Sequence, residues 1–276
     1  MQKMKKLVIT LLVVVLFSAC GEYQKVLNKG KNAERYKLAV ELYEKKEYKK
    51  AIPLFEKLVG PYAGKPQMER IQYMISDSYF QTENYAMSSY YFSKFISNYP
   101  ESSKIEEAAF LSAKSYFLAA PKYSLDQEDT YKALNAFQSY IDKYPSSDLI
   151  LEANKYYKEL NHRLEKKDFE VAKQYYHTEN YNAAITAFDT FNEDNLGSDY
   201  KEDAYYLKFK SLYELGMKSV LIKKEERLEE AIGANNKFRR TFPESKRIKE
   251  VENMLKTVEK ELIKTKEQLA TISQTN

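Results

Sequence analysis

The chain has 276 residues, a formal charge of +4, one cysteine and no tryptophan, with 25 tyrosines and 14 phenylalanines against seven glycines and seven prolines. A single cysteine excludes an internal disulfide, a multi-thiolate metal site and, once that cysteine is committed elsewhere, a catalytic thiol. The balance of 44 basic and 40 acidic residues gives no electrostatic footprint for nucleic acid. Few Gly and Pro, no long alternating segments and 3.6-residue apolar periodicity throughout predict an all-α protein.

Residues 1–19 read as a secretory signal. Lys3, Lys5 and Lys6 precede an apolar run from Leu7 to Phe17. That run is too short for a membrane span, which needs about 20 residues, but suits an export signal. Ser18 and Ala19 are small and lead into Cys20. The order Phe17-Ser18-Ala19-Cys20 resembles the lipobox of bacterial lipoproteins, with Phe17 where that motif prefers Leu. The resemblance implies cleavage before Cys20, lipidation of its thiol and acylation of the new amine. Two or more acyl chains anchor firmly, at about 0.8 kcal/mol per buried methylene. Loss of three lysines from +4 leaves the mature chain near +1. Residues 20–32 are expected to form a tether after the lipidated Cys20.

From residue 33 the chain repeats. Tyr99-Pro100-Glu101-Ser102, Tyr144-Pro145-Ser146-Ser147 and Phe242-Pro243-Glu244-Ser245 are three copies of aromatic-Pro-x-Ser. Twelve residues before each proline stands a small residue, Ser88, Ala133 or Ala231. Phe92 and Phe137 follow the first two of these by four residues. Tyr48-x-x-Ala51-x-x-x-Phe55 and Tyr181-x-x-Ala184-x-x-x-Phe188 carry the front half of the pattern, with Leu196 where the fourth unit would have Pro. A small side chain permits two helices to cross closely, the aromatic fills the neighbouring groove, and proline ends the second helix. The serine is expected to cap the next helix.

This arrangement resembles the tetratricopeptide repeat. Units centred on Ala51, Ser88, Ala133, Ala184 and Ala231 are separated by 37, 45, 51 and 47 residues, longer than the 34 of that repeat, with the clearest insertion at Ala119 to Asp129. The expected fold is an α-solenoid of about five helical hairpins with a long C-terminal helix. Repeats 1–3 span 33–147, repeats 4–5 span 148–243, and a helix and tail span 244–276. Each unit buries its face on its neighbours, producing a curved rod with a concave side.

In the repeat family the first helix of each pair lines the concave side through positions 2, 5, 9, 12 and 13. Positions 5 and 12 fall on Tyr36 and Tyr43, Tyr73 and Phe80, Phe110 and Phe117, and Phe169 and Tyr176. In the fifth unit they fall on Leu207 and Glu214, where the ladder stops. The eight rings are expected to form a client-binding strip, since aromatics bring large contact area at small entropic cost. Plain packing between repeats is the competing reading.

Several stretches together resemble the outer-membrane β-barrel assembly lipoproteins of the BamD type. They are Tyr36-x-x-Ala39 with Tyr48-x-x-Ala51-Ile52 and Pro61-Tyr62; Ala113 to Tyr116 leading through Leu125-Asp126-Gln127 to Thr130-x-x-Ala133-x-x-x-Phe137; and Arg163-Leu164 with Phe169-x-Val171-Ala172-x-x-Tyr175-Tyr176 and Tyr181-x-x-Ala184. The resemblance covers residues 23–245. It implies a non-enzymatic scaffold, lipid-anchored in the outer membrane and facing the periplasm. Its N-terminal repeats would receive unfolded outer-membrane protein clients. Its C-terminal repeats would dock on the periplasmic domains of the barrel insertase. Gly21 after the cysteine fits outer-membrane sorting.

Beyond the repeats, Ile248, Val251, Leu255, Val258, Leu262 and Leu269, with Thr265, mark one apolar stripe on a Lys/Glu-rich helix. It reads as a cap on the last repeat, or else as a docking helix for a partner. Neither His162 nor His177 has a second ligand at metal-binding spacing. No Gly-x-Ser-x-Gly elbow or phosphate loop occurs. No cofactor and no enzymatic activity are expected. A glycan-uptake lipoprotein and a cell-envelope or division scaffold are the alternative readings on the same repeats.

Overall fold

A computed structural model describes residues 21–275; the signal segment and Cys20 lie outside them. Twelve helices and no strand occur among the described residues. They are α1 (21–29), α2 (Asn32–Glu44), α3 (Tyr48–Val59), α4 (Gln67–Gln81), α5 (Tyr85–Asn98), α6 (Ile105–Ala119), α7 (Glu128–Lys143), α8 (Ile150–His177), α9 (Tyr181–Asp194), α10 (Lys201–Met217), α11 (Leu221–Thr241) and α12 (Ile248–Thr275). The chain is therefore all-α, as its periodicity requires. Two compact units divide it inside α8. The first runs to Pro121 and adds Asp126–Leu160, and the second takes Lys122–Leu125 and everything from Asn161.

Within the first unit, α2/α3, α4/α5 and α6/α7 are antiparallel hairpins, and each helix also packs on the next. Within the second, α9 packs on α10, α10 on α11, and α11 on α12. The five small residues Ala51, Ser88, Ala133, Ala184 and Ala231 lie one in the second helix of each hairpin and are fully buried. Their counterparts across the crossing, Ala39, Ser76, Ala113 and Ala172, are also fully buried. Close backbone approach leaves room for nothing larger. Ser88 donates to the Ser76 carbonyl (3.2 Å) and lies 2.9 Å from Ser115 Oγ, so its hydroxyl is satisfied in the core. Four residues on, Phe55, Phe92, Phe137 and Phe188 are fully buried too. In the fifth hairpin Asn235 takes this place and donates to the Val251 carbonyl of α12 (2.7 Å).

The aromatic-Pro signatures end helices. Tyr99, Tyr144 and Phe242 adopt φ −132°, −127° and −129° with ψ near 60°, and the proline follows. Asn195 adopts φ −120°, ψ 58° before Leu196. The fourth unit thus makes the same exit without proline. The serines differ from expectation. Ser102, Ser147, Ser198 and Ser245 each accept from the backbone N–H two residues on (3.1–3.2 Å), inside the turn rather than at the helix cap. Two of them also donate back to the first turn of their own hairpin, Ser147 to Glu106 (2.6 Å) and Ser245 to Glu202 (2.7 Å).

The C-terminal stripe is used internally. Val251, Val258 and Thr265 are fully buried, and Leu262 packs on a core of Leu212, Leu228, Ala231 and Val258. Lys224–Glu261 (2.8 Å), Arg239–Glu252 (2.9 Å) and Lys266–Glu229 (2.8 Å) join α11 to α12 along its length. The helix covers the last hairpin as a cap does.

Candidate functional site

The first helix of each hairpin carries the predicted ring residues, and their contacts decide what each can do. In the first unit Tyr36 stacks on Tyr62 with ring centroids 5.7 Å apart. Tyr43 meets Tyr48 and Phe55 edge-on (5.5 and 6.4 Å). Tyr73 meets Phe92 and Phe95 edge-on (6.0 and 5.6 Å). Phe80 packs on Tyr85 (5.7 Å), and Phe117 on Tyr156 (4.4 Å). Phe110 is only 4% exposed and faces Phe137 and Tyr140. In the second unit Phe169 is also 4% exposed, enclosed by Phe188, Phe191 and Tyr200. Tyr176 is half-buried against Tyr181.

None of the eight rings is openly exposed. The expectation of a continuous open strip therefore needs correction at Phe110 and Phe169, which are core. The physical reason is a second aromatic on the facing helix, seven residues after the small one: Phe95, Tyr140, Phe191 or Phe238. All four are at most 2% exposed. These residues close over the position-5 ring, and sequence spacing alone did not flag them.

The fifth hairpin needs a second correction. Glu202 accepts from Ser245 as Glu106 accepts from Ser147, which fixes the register of α10. Counting on from Glu202 places Tyr206 and Tyr213, not Leu207 and Glu214, at positions 5 and 12. Tyr206 faces Phe238 (6.2 Å), as Phe110 faces Tyr140. Lys210 sits over Tyr206 as Lys114 sits over Phe110 and Lys173 over Phe169, each within 6 Å of the ring centre. The aromatic-x-x-x-Lys spacing was a readable signal for this register. Tyr206 also donates to Glu250 of α12 (2.6 Å), with the Arg247 guanidinium 4.5 Å from its ring centre.

One open groove in the first unit is bordered by predicted residues. Tyr43, Tyr73, Met74 and Phe95 line it together with Glu44, Pro66, Glu69, Arg70 and Lys104. The tyrosine hydroxyls are already engaged. Tyr43 donates to Asp77 (2.5 Å) and Tyr73 to Glu107. Burial and then these carboxylates push both phenols well above their ordinary value. They remain neutral donors across the physiological range. Burial alone would raise the Glu107 carboxyl, but bonds from Lys104 and Tyr73 outweigh it and hold it below its ordinary value. What the groove offers a ligand is therefore ring surface flanked by charge. Arg70 reaches only a long pair with Glu44 (3.4 Å), and Lys104 lies 5.4 Å over Tyr73 while paired with Glu107 (2.8 Å). Apolar floor, ring edges and exposed cations suit an extended polypeptide segment rather than a reacting small molecule.

No cluster of three or more His, Cys, Asp or Glu residues that could hold a metal occurs among the described residues. None of the described helices is long and apolar enough to cross a membrane. His162 stacks on Tyr200 (5.4 Å) and His177 is exposed.

The family described as YfiO, outer membrane lipoprotein, matches residues 28–219 and 168–272. A protein of Rickettsia prowazekii (strain Madrid E) named outer membrane protein assembly factor BamD is 25% identical over 217 residues, covering 78% of this chain and 86% of that protein. A protein of Aquifex aeolicus (strain VF5) named putative outer membrane protein assembly factor BamD is 28% identical over 258 residues, covering 91% and 82%.

Proposed function

This chain belongs to the YfiO family of outer membrane lipoproteins, and on that premise we propose that it is a non-enzymatic scaffold of outer-membrane β-barrel assembly. Its first unit holds unfolded barrel polypeptides, and its second docks on the periplasmic domains of the barrel insertase. A lipid on Cys20 keeps it at the periplasmic side of the outer membrane. Similarity to two proteins named as assembly factors supports the process.

The observation that carries the client role is the groove at Tyr43 and Tyr73, with its apolar floor and its rim of Arg70 and Lys104. Tyr36, Phe80 and Phe117 add half-buried ring surface in the same unit. Phe110 supports this surface from within its hairpin, whereas Phe169 and Tyr176 pack within the second unit. In the second unit Val220 and Ile222 are 66% and 83% exposed at the start of α11, and they supply apolar surface for docking on the insertase.

The test uses a labelled, unfolded barrel segment and the full mature chain. Arg70→Glu reverses a charge at the rim without touching the core, since Arg70 is exposed. It is expected to weaken binding at least several-fold while leaving the circular dichroism unchanged. Unchanged affinity in Arg70→Glu and in Lys104→Glu would remove the groove from the account.

A further inference from the structure

The turn between α2 and α3 is unlike its counterparts. In three hairpins the first helix ends in the same three-residue turn, whose second residue has a left-handed backbone: Lys46 (φ 61°), Glu83 (φ 61°) and Glu179 (φ 58°). Each donates its N–H to the carbonyl three residues back, at Tyr43, Phe80 and Tyr176 respectively. The following N–H reaches five residues back, to Leu42, Tyr79 and Tyr175. Backbone and hydrogen bonds are the same, but the charge is reversed in the first. Around Lys46 stand Lys45, Lys49 and Lys50, with Glu47 and Tyr48 between them.

This turn lies where the chain enters the structure. Helix α1 runs antiparallel to α2. Near its C-terminal end, Leu27 and Asn28 accept from Arg35 at the start of α2 (3.3 and 3.4 Å). In its first turn, the Tyr23 hydroxyl donates to the Lys50 carbonyl (3.0 Å). Val26 and Leu27 pack on the core of the first hairpin. Residue 21, covalently next to Cys20, therefore starts at the lysine-bearing end of that hairpin. Tyr23 lies two residues after residue 21, so its bond to Lys50 keeps residue 21 close to the turn.

The lysines are placed to meet external anions. Lys45 and Lys50 make exposed pairs with Glu41 (2.7 Å) and Glu47 (2.6 Å), contacts that contribute little in water. Lys46 and Lys49 are exposed and meet no carboxylate among the described residues. Across a shallow groove lie Gln81, Thr82 and Glu83 of the next turn, and Glu83 is the one anion on that side. Tyr48 is half-buried among the lysines, an amphipathic ring of the type enriched at membrane interfaces.

We propose that the Lys45–Lys50 turn is a second membrane contact, binding phosphate-bearing lipid headgroups beside the lipid anchor. An attached lipid holds the turn at the bilayer surface, so a weak electrostatic contact is made at high effective concentration. Basic residues near an anionic leaflet contribute about 1 kcal/mol each, and the attraction falls off within a Debye length. The contact fixes the rotational orientation of the first hairpin about its tether, which the lipid alone leaves free.

The test uses the mature chain with Cys20 coupled to one myristoyl chain, which anchors only marginally by itself, so that the hold added by the lysines is read. Flotation is measured with neutral phosphatidylcholine vesicles and with vesicles containing phosphatidylglycerol. Firm binding to the anionic vesicles is expected, declining as salt rises, and only marginal binding to neutral ones. Lys46→Glu with Lys49→Glu is expected to weaken it at least roughly 25-fold, from about fivefold per lysine. Glutamate already occupies the position of Lys46 in two sister turns, so the variant keeps its fold, checked by circular dichroism. Lys256→Glu with Lys260→Glu, on the exposed face of α12, is the charge-matched control and should retain most of the binding. Equal flotation of the two double variants would overturn the proposal. So would binding of polyglutamate through Lys46 and Lys49 without binding of anionic vesicles.

Discussion

Replacing Phe110 with Ala separates two roles for the ring ladder, cement within a hairpin and open contact surface. The ring is 4% exposed and meets Phe137 at 6.3 Å and Tyr140 at 5.4 Å, both edge-on. Truncating a buried Phe costs about 3–5 kcal/mol, including edge-to-face contributions of about 0.5–1.5 kcal/mol per aromatic pair. Domains are stable by only about 5–15 kcal/mol, so this is a large fraction for the first unit. At roughly 2–4 °C per kcal/mol for chains of this size, the first transition should fall by roughly 6–20 °C. The assay is a thermal melt followed by circular dichroism, because the chain has no tryptophan to report by fluorescence. The two units can unfold separately, so hydrogen exchange on α6 and α7 assigns the transition. A variant that melts within 2 °C of the parent yet loses client binding would show that Phe110 is contact surface, and the packing argument would fail.

Thr265 has a fully buried hydroxyl with no hydrogen-bond partner, and an unsatisfied buried polar group costs about 1–3 kcal/mol; Thr265→Val should raise the melting temperature of the second unit. At Gly30 an added Cβ would lie 2.5 Å from the Val26 carbonyl oxygen, so Gly30→Ala should undock α1, seen as lost hydrogen-exchange protection over residues 21–29 with α2–α7 unchanged. Glu107 and Glu152 are held below the ordinary carboxyl value of 4.5, the first by Lys104 and Tyr73 against burial, the second chiefly by Lys114. Groups depressed in the folded state contribute stability that is present above the unfolded value and lost as pH falls through the folded one. Urea midpoints should therefore drop below about pH 4.5, and less steeply in a Glu107→Gln, Glu152→Gln chain. Val220→Asp with Ile222→Asp should leave the melt unchanged and abolish co-purification with the insertase.

The repeat core was legible in the sequence because its constraints are local and exclusive. A close helix crossing admits only a small residue, and proline cannot continue a helix, so Ala51, Ser88, Ala133, Ala184 and Ala231 stand out by spacing. The ring positions were legible as to side but not as to exposure. A 100° projection places Phe110 and Tyr73 on one face of their helices. It does not reveal that Tyr140 closes over the first while Phe95 and Met74 leave the second beside a groove. In the fifth hairpin, α10 and α11 are both lengthened at their connected ends. Tyr206 stands 25 residues before Ala231, against 15 between Tyr36 and Ala51 or Tyr73 and Ser88, so spacing did not fix the register and the reading at Leu207 fell one residue past it. Asn235 hid the aromatic that would have corrected it. The serines of the aromatic-Pro motif were expected as helix caps; their turn bonds and their reach to Glu106 and Glu202 depend on backbone geometry. The charge reversal at Lys46 is plain in the sequence only once the left-handed backbone shows that Glu83 and Glu179 hold the same place.

The central claim is that the groove at Tyr43 and Tyr73 receives unfolded barrel polypeptides. A photoreactive amino acid placed at Glu44 or Arg70 in living cells, both exposed on the rim, tests it directly. Illumination should yield covalent adducts to nascent barrel proteins from these two positions and none from Lys256 on α12. Adducts of equal yield from all three positions, or none from the rim, would contradict it.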